Sequence, residues 1–145
     1  MTDKTIDHVL RATWQTVAKL YNEEAGKYGA TMAVAFTLLN IDKDGTPSTS
    51  LGPKMGMEAT SLSRTLKNME EKGLIIRKKN PDDGRSVLIF LTDYGIEMRN
   101  VSKEKVLTFN QSIHNNISSE KIEHFHEVSN LIVDLIQQRK IFNKS

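Results

Sequence analysis

Apolar side chains recur through residues 5–27 at Ile6, Val9, Leu10, Trp14, Val17, Leu20 and Tyr21. This is the i, i+3, i+4, i+7 stripe of an amphipathic helix, and Tyr28-Gly29 breaks it. From about Thr31, the run Met32, Val34, Ala35, Phe36, Leu38, Leu39 and Ile41 is apolar on most sides and predicts a second, buried helix. Residues 42–47, Asp-Lys-Asp-Gly-Thr-Pro, read as a turn by composition. A short helix from Ser50 to Gly56 is expected next, with Leu51 and Met55 inward. The Gly52-Pro53 pair makes that helix very short or irregular, because proline is comfortable only in a first turn. Met57-Glu58-Ala59 makes a further turn, and Thr60 to Lys72 forms the next helix. Its inward stripe is Leu62, Leu66 and Met69, and Gly73 closes it.

The period then changes. Leu74 to Lys79 and Ser86 to Leu91 are rich in strand-forming residues, and Asp83-Gly84 between them is a hairpin signal. Thr92-Asp93 reads as an N-cap with an acidic first-turn residue. A long helix follows with Ile96, Val101, Val106, Phe109, Ile113 and Ile117, and Ser118-Ser119-Glu120 starts a last one carrying Ile122, Phe125, Val128, Leu131, Ile132, Leu135 and Ile136. The expected fold is mainly α with a small β-hairpin wing: a winged helix-turn-helix between N- and C-terminal helices. One domain over residues 1–145 is expected, with the winged core at 30–92. The outer helices, 5–27 and 93–142, carry more apolar surface than one such core can cover, so they are expected to dimerise, most simply with a second copy.

Composition narrows the chemistry mainly by exclusion. An apolar fraction of 38% with 26% charged residues is that of a globular chain. No apolar run reaches the roughly 18 residues of a membrane span, and the first residues carry no signal-like apolar segment; a cytoplasmic location is the expectation. Zero cysteines remove disulfides, thiolate metal sites and thiol redox sensing. His124 and His126 are spaced i, i+2 and so lie on different helix faces, a poor geometry for a shared metal. No phosphate-binding glycine loop, nucleophile elbow or zinc-protease pattern occurs. Neither an enzyme nor a metal or other cofactor is expected.

The net charge of +2 says little, but its distribution says more. Residues 54–85 hold eight Lys/Arg against five Asp/Glu, residues 1–53 five against six, and residues 86–145 seven against seven. All the excess positive charge therefore falls on the helix and hairpin, where contact with phosphates would need it. On the outward helix face, Ala59, Thr60, Ser61 and Ser63 are small enough to approach base edges. Arg64 can read guanine in a bidentate manner, and Lys67 suits a phosphate. Arg77, Lys78, Lys79 and Arg85 flank the hairpin turn. The plainer explanation, a solvated helix face and hairpin, would lead for either element alone; their adjacency reverses that order. A winged-helix module that binds protein instead of DNA is the alternative, but it would present an apolar or acidic face in place of Arg64 and Lys67.

Over essentially its whole length the chain resembles the MarR family of bacterial winged-helix regulators. The resemblance is carried by residues 57–66, Met-Glu-Ala-Thr-Ser-Leu-Ser-Arg-Thr-Leu, by residues 69–75, Met-Glu-Glu-Lys-Gly-Leu-Ile, and above all by the wing signature Pro81-Asp82-Asp83-Gly84-Arg85 ending in Leu91-Thr92. It implies a homodimeric regulator, a ligand-responsive repressor, that binds pseudo-palindromic double-stranded DNA. Arg85, held by Asp83, would enter the minor groove. A small-molecule effector between the dimerisation helices and the winged unit is also implied; Trp14, Tyr21, Met32, Phe36 and His114 are conceivable lining residues, though plain core is the better explanation of each, and no ligand-binding residue is assigned. The chain departs from the pattern at Gly84, where the family often has a second arginine, at Glu58, where aspartate is usual, and at Gly52-Pro53.

Overall fold

The computed structural model describes residues 4–142, so the outermost residues of the 1–145 span lie outside the description. It divides into two compact units, residues 1–104 and 105–145. The first contains α1 (Ile6–Gly26), α2 (Met32–Leu39), β1 (Thr46–Pro47), α3 (Ser48–Met55), α4 (Ala59–Glu71), β2 (Ile75–Lys79), β3 (Val87–Leu91) and the opening turns of α5 (Asp93–Asn116). The second holds the remainder of α5 and α6 (Ser119–Gln137).

Local sequence sets most of these boundaries. The Thr31 hydroxyl accepts from the Val34 amide and starts α2, while the Asn22 carboxamide of α1 accepts from the Met32 amide at 2.9 Å. Tyr21 and Phe36 meet edge-to-face at 5.3 Å and join α1 to α2. At the end of α4, Gly73 sits at φ +76°, with its amide on the Glu70 carbonyl and the Leu74 amide on the Met69 carbonyl. This is a Schellman closure, and glycine takes the left-handed position at no steric cost. Ser118 caps α6 through the Lys121 amide.

The core of the first unit is built from Val34, Leu38 and Ile41, Leu51 of α3, the Leu62, Leu66 and Met69 stripe of α4, and Leu74, Ile75 and Ile89 around the sheet. Each such side chain contributes about 1.5–3 kcal/mol by leaving water, and the α4 stripe decides which face of that helix looks outward. The second helix, expected to be buried on most sides, buries only Val34, Thr37 and Leu38 fully.

Two expectations need correction. The sheet has three strands, in the order β1-β3-β2, with β1 and β2 both antiparallel to β3. β1 comes from the stretch read as a turn: Thr46 pairs with Ile89 and Pro47 with Leu88. A two-residue edge strand has no room for alternation, and proline is tolerated there because an edge needs one donor fewer. The helix expected from Ser50 begins instead at Ser48 and carries Pro53 as its sixth residue. Gly52 is buried beside it, where an added Cβ would lie 3.2 Å from the Met57 carbonyl oxygen and 3.7 Å from Leu62. The Gly-Pro pair therefore marks the close crossing of α3 and α4.

The start of α5 packs tightly on the end of α4. The Thr92 hydroxyl donates to the Gly73 carbonyl at 2.5 Å and accepts from the Gly95 amide at 3.0 Å, while the Thr92 amide bonds the Leu74 carbonyl at 3.1 Å. A Cβ on Gly95 would come within 2.0 Å of that same Leu74 oxygen. α1 and α6, by contrast, bury no residue fully. Ile6, Val9, Leu10, Trp14 and Leu20 are exposed on α1, as are Phe125, Val128, Leu131, Val133, Leu135 and Ile136 on α6.

Candidate nucleic-acid interface

With Leu62, Leu66 and Met69 turned into the core, helical geometry leaves Ala59, Thr60, Ser61, Ser63, Arg64 and Lys67 exposed. Glu58 takes the N-cap position of α4 but makes no side-chain cap bond. The opening turn therefore offers its amides and small hydroxyls without a capping side chain across them. Thr65, between the two faces, returns its hydroxyl to the Ser61 carbonyl at 3.0 Å.

The hairpin cations do not all face outward freely. Pleating puts Arg77 and Lys79 on one face of β2 and Lys78 on the other. The Arg77 Nε lies 3.6 Å from Oε1 of Glu70 in the last turn of α4. Lys78 places its ammonium 5.1 Å from the centre of the Phe90 ring, a cation–π contact on the outer side of the sheet. Lys79, opposite Val87, is exposed at the end of the strand.

The wing loop is closed by its own polar groups. Asn80 and Ser86, 8% and 6% exposed, share a hydrogen bond from Nδ2 to Oγ at 3.1 Å. Asn80 Oδ1 also accepts from the Asp82 amide at 3.0 Å. Inside that staple, Asp83 Oδ1 accepts from the Arg85 amide at 3.0 Å and lies 3.5 Å from Arg85 Nε. The Arg85 side chain is 93% exposed, so the ion pair is worth under about 1 kcal/mol, and it biases the guanidinium more than it binds it. A Cβ on Gly84 would meet nothing within 4 Å. Val87 donates its amide to Ser48 Oγ at 3.4 Å, joining the wing to the start of α3.

The structure thus gathers the α4 residues on one exposed face and the Asp83–Arg85 pair at the wing tip, while Arg77 is tied to Glu70. Sequence reasoning missed Asn80 and Ser86; an asparagine two residues before an aspartate amide, in a turn, is the Asx signal that would have found the first. Among the conceivable ligand-lining residues, Tyr21 and Phe36 pack on each other and Trp14 is 52% exposed. Among the described residues no group of three or more His, Asp or Glu could hold a metal ion, and no helix is long and apolar enough to cross a membrane.

The MarR family model matches residues 32–87, from α2 to the first residue of β3. The chain is 30% identical over 122 residues to the HTH-type transcriptional regulator SarZ of Staphylococcus epidermidis, covering 82% of this chain and 76% of that protein. It is 32% identical over 78 residues to the HTH-type transcriptional regulator YdgJ of Bacillus subtilis, spanning 54% of this chain and about half (48%) of that protein. Among solved structures, MepR of S. aureus in its DNA complex superposes with a TM-score of 0.82 at 20% identity, covering 90% of this chain and 97% of that one. The structural likeness covers 90% of this chain, and SarZ and YdgJ are both HTH-type transcriptional regulators. By the matched helix-turn-helix and wing, and by the extent of the match to SarZ, the chain belongs to the MarR family of transcriptional regulators.

Proposed function

We propose that the protein binds pseudo-palindromic double-stranded DNA as a homodimer, and that a small-molecule effector releases it, as a repressor would require. The observation that carries this reading is the exposed face of α4 standing beside a wing whose tip arginine is almost fully solvated, within the one net-basic stretch of the chain. α4 would lie in the major groove, with Thr60, Ser61 and Ser63 on base edges or phosphates, Ala59 allowing close approach, Arg64 on a guanine and Lys67 on a phosphate. Arg85, biased by Asp83, would enter the minor groove, and Lys79 and Arg77 would follow the backbone. Support comes from MepR, whose structure was solved on DNA with the same fold.

The dimer rests on the uncovered apolar residues of α1 and α6, which a second copy of the chain would bury. Two-fold symmetry then requires half-sites about 10 base pairs apart, centre to centre. The test is a titration of a selected duplex by fluorescence anisotropy over a salt series. Arg85→Ala is expected to weaken binding by about tenfold or more with the fold intact. Wild-type log affinity should fall steeply with log salt. Unchanged affinity in the variant, or a flat salt dependence, would remove the wing and the phosphate contacts from the account.

A further inference from the structure

α4 is held in a lopsided way. Among the described residues, every side-chain hydrogen bond or ion pair that ties it to another element lies in its last turn or just beyond. Lys72 Nζ donates to the Gly29 carbonyl at the α1–α2 corner at 2.7 Å. Glu70 meets Arg77 of β2 at 3.6 Å. Thr92, at the mouth of α5, donates to the Gly73 carbonyl at 2.5 Å and takes the Gly95 amide at 3.0 Å. The opposite end, where Thr60, Ser61, Ser63 and Arg64 are exposed, has Glu58 in the cap position with no side-chain bond to the helix.

The apolar stripe cannot replace these ties. Packing of Leu62, Leu66 and Met69 selects the inward face, but it is non-directional and tolerates a small tilt or slide. Hydrogen bonds at fixed angles do not. The helix has 13 residues, so its two ends are about 20 Å apart at 1.5 Å per residue. A tilt of about 5° at the anchored end moves the other end by about 1.7 Å, more than a bidentate base contact tolerates. The Lys72 bond adds little stability, since an exposed lysine loses rotamer freedom for one carbonyl bond.

We infer that Lys72 and Thr92 are positioning residues: from the C-terminal end of α4 they fix the angle at which its far end meets the bases, touching no base themselves. The inference rests on the proposed DNA reading, and it assigns the α1–α2 corner and the α5 mouth as the two mounts of the reading helix. Thr92 is the cleaner probe because it is neutral. Lys72 has a rival role as a direct phosphate contact, which would show as a lower salt slope and weaker binding to any duplex.

The experiment compares Thr92→Val, Thr92→Ser and Lys72→Met with wild type. Each is titrated against a duplex selected by the wild-type protein and against a random duplex of equal length, over a salt series. Residual dipolar couplings of the free proteins report the orientation of α4 amides relative to α2. Thr92→Val and Lys72→Met are expected to lose about five- to tenfold in affinity for the selected duplex, with random-duplex affinity and salt slope unchanged and α4 reoriented. Thr92→Ser, which keeps the hydroxyl, should restore both the affinity and the orientation. A proportional loss on both duplexes, or couplings for α4 that stay at wild-type values, overturns the inference. If wild type shows no preference between duplexes, the DNA reading fails, and the couplings decide whether the two mounts set the helix.

Discussion

Replacing Gly95 by alanine sets two physical effects against each other. Helix propensity favours the change by about 1 kcal/mol, since glycine inside a helix carries extra unfolded-state entropy. The structure opposes it. The new Cβ would stand 2.0 Å from the Leu74 oxygen and 3.3 Å from Leu91 Cδ2, whereas real Cβ atoms essentially never come under 3.0 Å. The start of α5 must therefore withdraw by at least 3.0 minus 2.0, or 1.0 Å. That stretches the Thr92 amide to Leu74 carbonyl bond from 3.1 Å to beyond hydrogen-bonding range and loosens the Thr92 to Gly73 bond with it. Two lost bonds cost about 2 kcal/mol, and displacement of packed groups about 1–3 kcal/mol more. After the propensity gain, a net loss of about 2–4 kcal/mol is expected, or a fall in melting temperature of roughly 6–15 °C for a chain of this size. Thermal denaturation followed by circular dichroism at matched protein concentration measures it, because self-association would make the midpoint concentration-dependent. Gly84→Ala, whose Cβ meets open space, serves as control and should stay within about 0.5 kcal/mol of wild type. An alanine at 95 that leaves the midpoint unchanged or raises it would refute the close approach of α5 to Leu74.

Other substitutions probe the interface and the assembly. Glu70→Gln removes a carboxylate 3.6 Å from Arg77; affinity for any duplex should rise a fewfold with a steeper salt slope, and a decrease would mean that the pair itself aims the wing. Gly84→Arg places a cation in unoccupied space beside Arg85 and should strengthen binding while adding about one unit to the magnitude of the salt slope; an unaltered slope would place the wing tip away from phosphate. Leu131→Asp puts a charge on the exposed apolar face of α6, and analytical ultracentrifugation should show a shift towards monomer with loss of tight binding. A variant that sediments as wild type would take that face out of the dimer.

Helices were legible wherever apolar residues recur at helical spacing, whether or not a core covers them. The stripes of residues 5–27 and 60–72 are local, and Gly73 and Thr92 are stop and start residues whose chemistry acts within a few positions. β1 was not legible, because Thr46 and Pro47 become a strand only by meeting Leu88 and Ile89, some forty residues on. The site divides in the same way. That Thr60, Arg64 and Lys67 face outward follows from their spacing against Leu62 and Leu66. That Arg77 is engaged by Glu70, or that Asn80 and Ser86 are buried against each other, depends on how the turn and the sheet fold back. Polar residues in a turn look solvated until the partner that satisfies them is in view.

The pairing of β1 with β3, with the Ser48–Val87 bond, makes the wing and the front of the helix-turn-helix one piece of sheet. In the proposed complex, the contacts of α4 and of Arg85 would then be set at a constant offset, like two teeth of one key. Each base pair advances along the duplex by about 3.4 Å and turns by about 35°. Inserting one base pair within a half-site, between the step met by α4 and the step met by the wing, would move the second contact out of reach in both distance and angle. On that reading, spacing inside a half-site would be a fixed property of the fold, while spacing between half-sites would belong to the proposed dimer.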